Sequence, residues 1–162
     1  MLFCVNMPFG FSQLTDLKVG SPAPEINLPD PKGDTISLSE FKGKIVLIDF
    51  WATWCSPCVK EQPHLAQLYK KYNQCSFTSG TGFQIYGVSL DSKKTSWQTG
   101  IKKMKINWIQ VSDLKFWASP VARLYNIRTL PHNVLVDGNG IIIAKNLHDK
   151  ELEHTIRLLS RN

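Results

Sequence analysis

Long apolar runs are absent from this 162-residue chain. A membrane-spanning helix needs about 18 consecutive apolar residues. Here Asp49 interrupts the run that starts at Ile45, and Lys145 ends the run that starts at Ile141. The sequence therefore predicts no membrane span within the chain.

Cysteine, glycine and proline are also scarce, with four, ten and nine residues respectively. Disulfide scaffolds, collagen-like chains and low-complexity chains are much richer in these residues, so those classes are excluded. With 43% hydrophobic and 20% charged residues, the chain has the make-up of one globular domain with its own core. We expect a loosely ordered lead-in over residues 1–19 and a single, monomeric domain over residues 20–162.

Acidic residues are outnumbered, 13 against 19 Lys and Arg, which gives a formal net charge of +6. Such an excess raises the question of an anionic partner. Five lysines crowd one stretch that contains no nucleic-acid-binding motif, and its only aromatic residue is Trp97: Lys93, Lys94, Lys102, Lys103 and Lys105. We interpret them as a solvated helix face, with a docking patch for an acidic partner as the alternative, and predict no nucleic-acid partner.

A secretory leader is not evident at the start of the chain. Residues 1–8 contain neither a basic segment nor an apolar run of the length that such leaders carry. Two interpretations stay open: the protein remains inside the cell, or a leader was removed.

Strands and helices alternate along most of the chain. Alternating polarity on both sides of a turn at residues 30–34 predicts a hairpin, and the β-branched run at 44–50 is typical of a central strand. Apolar spacing predicts a helix over 56–72, bent at Pro63. The next predicted elements are a strand at 83–89, a helix at 92–104 and an extended piece at 106–111. A helix at 121–125 follows, with Ser119 and Pro120 as its N-cap and first helical position. A hairpin of 133–136 with 141–145 and a helix at 149–159 end the chain. This order predicts an α/β fold with helices on both faces of a central sheet.

Two cysteines stand where the predicted central strand gives way to a helix. Cys55 and Cys58 are separated only by Ser56 and Pro57. A helix N-terminus presents unpaired N–H groups and a partial positive charge, which favours a thiolate, so we expect Cys55 to be the nucleophile. Two intervening residues let the second sulfur reach the first, so we expect Cys58 to be the resolving thiol of a redox pair.

A zinc site is the main alternative for these cysteines, because Cys75 follows Cys58 at ribbon spacing. A fourth ligand is missing, since Thr78 stands where a second pair would close. A structural disulfide is disfavoured because so short a loop constrains the unfolded chain little; an accidental pair is the remaining alternative. We predict no metal and no cofactor, and assign no function to Cys4 or Cys75.

The residues around this pair carry a family resemblance. Residues 49–58, DFWATWCSPC, resemble the active-site stretch of thioredoxins, and residues 54–63, WCSPCVKEQP, are similar to TlpA-like and ResA-like thiol–disulfide oxidoreductases. The segments 20–24 and 38–44 extend the similarity. The resemblance implies a thioredoxin-like fold: a central mixed β-sheet flanked by helices, an N-terminal β-hairpin extension, and an α/β insertion between the active-site helix and a cis-proline loop.

Further expectations come with that resemblance. It implies a disulfide-bearing protein substrate, such as apocytochrome c or another exported protein, and a thiol–disulfide protein as electron donor. It also implies a periplasmic or envelope location, while the missing leader leaves the cytosol open.

Asp49 is the strongest further site candidate. A carboxylate within an apolar strand is heavily desolvated, so burial should raise its pKa and make it a proton acceptor near neutral pH. The resemblance implies that it lies beneath Cys58 and takes that thiol's proton; an edge position in solvent is the alternative. Glu61, three residues after Cys58, lies on the same helix face. The resemblance implies that it tunes the cysteines, and a plain surface glutamate is the alternative.

Thr129, Leu130 and Pro131 match the family's cis-proline loop. The resemblance implies a cis Leu130–Pro131 bond against the cysteines, with the Leu130 backbone pairing an extended substrate as an added strand. His132 departs from the family pattern; it either senses pH near Cys55 or is a spectator. Of Trp51 and Trp54, we expect one in the core and the other as a lip that contacts substrate; Trp97, Trp108 and Trp117 should be packing residues.

Ser56 and Pro57 bear on the direction of the reaction. Strong oxidants of this fold stabilise their reduced form with extra donors between the cysteines, and here only the Ser56 hydroxyl is offered. We therefore expect a reductase. Two alternatives are a peroxidase of the peroxiredoxin-related type, whose Pro-x-x-x-Thr-x-x-Cys pattern is not matched because Thr53 lies two residues before Cys55, and a non-catalytic thioredoxin-like binding module.

Overall fold

Residues 17–161 are described by a computed structural model of the chain. Residues 1–16, which make up most of the expected lead-in and include Cys4, lie outside the described residues. The elements follow in chain order: β1 (Asn27–Pro29), β2 (Thr35–Ser37), a 3₁₀ turn (Leu38–Phe41), β3 (Ile45–Trp51), α1 (Ser56–Tyr72), β4 (Ser76–Phe77), β5 (Gly80–Thr81), β6 (Phe83–Ser89), α2 (Lys94–Lys103), β7 (Ile109–Val111), a second 3₁₀ turn (Phe116–Ala118), α3 (Pro120–Leu124), β8 (His132–Val136), β9 (Ile142–Lys145) and α4 (Asp149–Leu159).

A five-stranded mixed sheet forms the centre of the fold, in the order β7-β6-β3-β8-β9. Strand β3 runs parallel to β6 and antiparallel to β8. All seven residues of β3 are buried, as expected for a β-branched run covered on both faces. The predicted α/β class and central mixed sheet are confirmed, and β3 is the central strand.

The N-terminal extension and the insertion are also confirmed. Strands β1 and β2 pair antiparallel as a hairpin, and α2 with β7 lies between α1 and the Leu130–Pro131 bond. Most bounds agree to within a single residue, and two elements differ by more: α2 begins at Lys94 because the Lys93 backbone is extended, with φ −119° and ψ 118°, and the extended piece shortens to Ile109–Val111.

A small hairpin of β4 and β5 was not predicted, because its strands are too short for a polarity pattern. Its tip lies against the turn between β8 and β9. A Cβ atom at Gly138 would lie 1.7 Å from Ser79 O, so only glycine allows this close approach.

Helices cover the sheet with their apolar faces. Helix α1 buries Leu65, Leu68 and Tyr72, and α4 buries Leu152 and Ile156. Within residues 17–161, no helix combines the length and apolar character that crossing a membrane requires. At its carboxyl end β3 leads through four residues into α1, so the centre of the sheet positions the start of that helix.

Candidate active site

Cys55 occupies the N-cap of α1. Its backbone is extended, with φ −92° and ψ 100°, and its sulfur accepts a hydrogen bond from the Cys58 N–H at 3.2 Å. Pro57 stands in the first turn, where a missing N–H is of no consequence. The sulfur thus takes the place that a Ser or Asp oxygen fills in other helices, and a thiolate there lies at the positive end of the helix dipole.

The two sulfurs are joined as a disulfide in this structure, with the Cα atoms 5.2 Å apart. Cys55 is 6% exposed and Cys58 is 1% exposed, so an incoming molecule reaches Cys55 first. Cys75 lies beyond the opposite end of α1, where its thiol donates to Lys71 O at 3.4 Å. The structure therefore keeps Cys75 apart from the pair.

A buried carboxylate, Asp91, holds the loop that leads into Cys55. Asp91 accepts hydrogen bonds from the Thr53 N–H at 3.1 Å, from the Thr53 hydroxyl, and from the Ser89 hydroxyl at 2.6 Å. Ser89 ends β6, so this network ties the loop to the strand beside β3.

Asp49 lies in the middle of β3, opposite Gly87 of β6 and Asn133 of β8. It is 2% exposed, so the alternative of an edge position in solvent is wrong. Its Oδ2 atom has no hydrogen-bond partner among the described residues. Burial, reinforced by the nearby negative charge of Glu61 and opposed by the Gln62 amide, raises the pKa of Asp49 to about 7.

Gln62 connects Asp49 with Cys58. This side chain is 2% exposed, and its Nε2 donates to Cys58 O at 3.3 Å. The same amide opposes the rise in the pKa of Asp49, so Gln62 lies near that carboxyl group as well as near Cys58 O. Asp49 therefore stands beside the helix segment that carries Cys58.

Glu61 is paired rather than free in solvent. Its Oε1 lies 2.5 Å from His148 Nδ1, and the Glu61 side chain is only 17% exposed. The other ring nitrogen of His148, Nε2, lies 3.0 Å from Asn146 Oδ1. Because a carboxylate only accepts hydrogen bonds, His148 Nδ1 donates to Glu61, and this hydrogen bond offsets part of the negative charge that Glu61 directs at Asp49.

Asn133 positions this histidine through the backbone. Its Nδ2 donates to Leu147 O at 2.6 Å, and its Oδ1 accepts from Leu147 N at 3.0 Å. The residue opposite Asp49 in the sheet thus fixes the segment that presents His148 to Glu61.

The Leu130–Pro131 peptide bond is cis, as the resemblance implies. Thr129 is exposed, and Leu130 and Pro131 are partly buried. His132 begins β8 opposite Phe50. Burial, with the charges of Lys145 and His148, lowers the pKa of His132, so it is neutral at neutral pH.

The tryptophans divide between core and surface. Trp51 is fully buried, whereas Trp54 is 48% exposed, as expected for one core residue and one lip. Trp97 and Trp108 are buried, which confirms their packing role. The same prediction for Trp117 is wrong: it is 38% exposed, and its ring lies 6.1 Å from that of Trp54.

Comparison with known proteins agrees with this geometry. The family model of the AhpC/TSA family matches residues 19–145. The chain belongs to the AhpC/TSA family. Among its relatives, the thiol-disulfide oxidoreductase ResA of Bacillus cereus is 35% identical over 143 residues, which cover 83% of this chain and 73% of that protein.

Solved structures of thiol–disulfide oxidoreductases are also similar to this AhpC/TSA-family chain. The thioredoxin domain of a thiol-disulfide oxidoreductase from Bacteroides vulgatus is 41% identical, with a TM-score of 0.79, covering 88% of this chain and 97% of that one. A thiol:disulfide interchange protein from a Bacteroides species is 40% identical, also with a TM-score of 0.79, covering 89% and 91%. The thioredoxin-like fold and the thiol–disulfide oxidoreductase class of enzyme follow from these relatives.

Several residues of the site in this AhpC/TSA-family chain escaped prediction from sequence. Thr53 and Asp91 are 38 positions apart, and Glu61 and His148 are 87 apart, so no local spacing links either pair. The sequence did contain a signal for Gln62: it follows the candidate Glu61 and lies four residues after Cys58, on the next turn of the helix.

Proposed function

We propose that this oxidoreductase reduces disulfides of protein substrates through Cys55 and Cys58, with Asp49 as the proton acceptor. The observation that carries the proposal is the hydrogen bond from the Cys58 N–H to Cys55 Sγ at the N-terminus of α1. A donor and a helix dipole at that sulfur favour its thiolate. The greater exposure of Cys55 supports its role as the attacking atom.

The exchange proceeds in two balanced steps. The Cys55 thiolate attacks a substrate disulfide; a Cys55–substrate bond forms, the substrate S–S bond breaks, and the released sulfur takes a proton from solvent. Cys58 then gives its proton to the Asp49 carboxylate and attacks Cys55 Sγ, so the Cys55–Cys58 disulfide forms and the second substrate sulfur leaves. The substrate gains two electrons, and a dithiol protein restores the pair.

The reductive direction is supported by the few donors at the pair. A single backbone N–H donates to Cys55 Sγ, among the hydrogen bonds of residues 17–161. Strong oxidants of this fold stabilise their thiolate far more. We expect a reduction potential below about −200 mV, in the range of glutaredoxin and thioredoxin, and a value near −120 mV would instead assign an oxidant.

Location, substrate and assembly belong to the same proposal. The resemblance to ResA-like proteins supports a role outside the cytoplasmic membrane on exported proteins, apocytochrome c among them. We propose that Trp54, Ser56, Pro57, Thr129, Leu130 and Pro131 contact the substrate, that Glu61 modulates Asp49, and that the domain acts as a monomer.

Insulin reduction with dithiothreitol as electron donor tests the proposal. Wild type should turn over, Cys55→Ser should not, and Cys58→Ser should accumulate the mixed disulfide. Cys75→Ser is the matched control, because Cys75 lies away from the pair, and it should equal wild type. Turnover by Cys55→Ser at the wild-type rate would overturn the proposal, and consumption of peroxide in place of insulin reduction would assign a peroxidase.

A further inference from the structure

Three aromatic rings form an exposed cluster beside Cys55. We call Trp54, Phe116 and Trp117 the aromatic surface. Their ring centroids lie 5.2 to 6.1 Å apart, and the side chains are 48%, 43% and 38% exposed. They are three of the six large apolar residues that residues 17–161 expose. Clustered apolar exposure of this kind marks interaction sites, whereas single exposed residues do not.

The backbone of the insertion holds two of these rings in place. Asp113 accepts hydrogen bonds from the Lys115 N–H at 3.1 Å and from the Ser119 hydroxyl at 2.7 Å. Leu114 N donates to the Ser112 hydroxyl at 3.0 Å, and that hydroxyl donates to Ser89 O at 2.8 Å. The segment that carries Phe116 and Trp117 is therefore fastened at both ends.

This segment is strained at the residue that presents the first ring. Phe116 has φ +54° and Leu114 has φ +57°, in the left-handed region that bulky side chains rarely adopt. Such strain clusters at functional sites. Leu114 packs against the core, whereas Phe116 is 43% exposed, so the strained segment presents a ring that lies partly in solvent.

The aromatic surface is continuous with the proposed active site. Trp54 directly precedes Cys55 in the chain. Cys55 is only 6% exposed, so a substrate disulfide must come close to its surroundings before reaction. The chain on either side of that disulfide then lies within reach of the rings.

The charged residues of the segment that carries Phe116 and Trp117 indicate which charge a partner should have. Between positions 114 and 131 the chain has no Asp or Glu, and it exposes Lys115, Arg123 and Arg128. The carboxylate of Asp113 is occupied by its own loop. The segment that carries two of the rings and continues to Pro131 thus combines exposed aromatic area with positive charge.

We propose that the aromatic surface docks an extended, disulfide-bearing peptide segment with a large apolar side chain next to its cysteine and acidic residues in its flanks. Phe116 and Trp117 are the residues that select it. This proposal rests on the proposed function, since it names the substrate class of the same site.

Binding of cysteine-free peptides tests the docking separately from the chemistry. Two fluorescent peptides with serine at the cysteine position are compared by anisotropy, one with Phe and two Glu, the other with Ser and two Lys. The wild type should bind the first about tenfold more tightly, as expected for aromatic contacts with charge complementarity. The double variant Phe116→Ser, Trp117→Ser should lose the part of that preference that comes from the aromatic contacts and keep the part that comes from charge.

Leu158→Ser is the matched control, because Leu158 is 66% exposed on α4 and lies outside the aromatic surface; it should keep the wild-type preference. Equal binding of both peptides by wild type, or an undiminished preference in the double variant, overturns the docking proposal. With two further peptides that restore the cysteine and carry it in a disulfide, the ratio of kcat/KM values should follow the binding ratio. Preferential binding without any reduction supports the docking and overturns the proposed function instead.

Discussion

Two buried carboxyl groups, one in β3 and one just after the adjacent strand β6, differ in what surrounds them. Asp49 lies within β3, and Asp91 lies two residues beyond β6; each is 2% exposed. Asp91 accepts hydrogen bonds from Thr53 and Ser89. Asp49 is influenced by the negative charge of Glu61 and by the Gln62 amide, and one of its oxygen atoms has no partner among the described residues.

The comparison shows that burial alone does not decide the role of a carboxyl group. Hydrogen-bond donors stabilise the charged form, and desolvation without them favours the neutral form. Asp91 is thereby suited to anchor the loop before Cys55. Asp49, with its pKa raised to about 7, is suited to exchange a proton in the physiological range.

The largest expected effect comes from removing the anchor. Asp91→Ala leaves the Thr53 N–H and the Thr53 and Ser89 hydroxyls without their acceptor, so the free energy of unfolding should fall by about 3–5 kcal/mol. Urea denaturation of the oxidised protein measures it. A loss below 1 kcal/mol would mean that the network around Asp91 is dispensable, and the contrast with Asp49 would disappear.

The next largest effect is the pH dependence that Asp49 gives to the free energy of unfolding. Folding raises the pKa of Asp49 to about 7. Between about pH 4 and pH 7 the folded protein therefore keeps the Asp49 proton, which the unfolded chain has lost. The free energy of unfolding thus falls as the pH rises through this window, and it stays lower above about pH 7. Asp49→Asn removes this component.

Denaturation at both ends of this pH window measures that component. The decrease in unfolding free energy between pH 4 and pH 8 should be smaller in Asp49→Asn than in wild type by about 2–4 kcal/mol. Parallel curves for the two proteins would show that Asp49 titrates alike in the folded and unfolded chains.

The smallest effect sharpens the comparison through His148. His148→Gln removes the ring nitrogen that pairs with Glu61 Oε1, so the negative charge of Glu61 acts on Asp49 with less compensation and the pKa of Asp49 should rise further. Carbon-detected NMR titration of the Asp49 carboxyl group measures the change. Loss of this half-buried pair should cost only about 1 kcal/mol of stability. An unchanged Asp49 titration would remove His148 from the electrostatics of the site.

The parts predicted from sequence share one property, which is that their residues are adjacent in the chain. The strand of β3, the cysteine pair and the start of α1 fall within one stretch of about twenty residues, where polarity, spacing and capping act locally. The burial of Asp49 follows from the apolar residues on either side of it. The cis bond before Pro131 could be expected only from the family resemblance.

The parts that were missed depend on contacts between distant segments. Nothing near Glu61 indicates His148, because Asn133 brings that histidine into place through Leu147. Trp117 was expected to pack because large aromatic residues usually do. The positive φ values at Leu114 and Phe116 could not be predicted, because bulky residues rarely adopt that conformation and carry no sequence signal for it.

The proposed mechanism depends most on transfer of the Cys58 proton to Asp49. Its direct test is the rate at which the Cys55-linked mixed disulfide is resolved, followed by acid quench and mass spectrometry in single turnovers over a range of pH. In wild type the rate should rise through pH about 7 as Asp49 ionises. In Asp49→Asn it should be slower by about 100-fold at neutral pH and approach wild type only at high pH. Superimposable pH profiles for the two proteins would contradict the account.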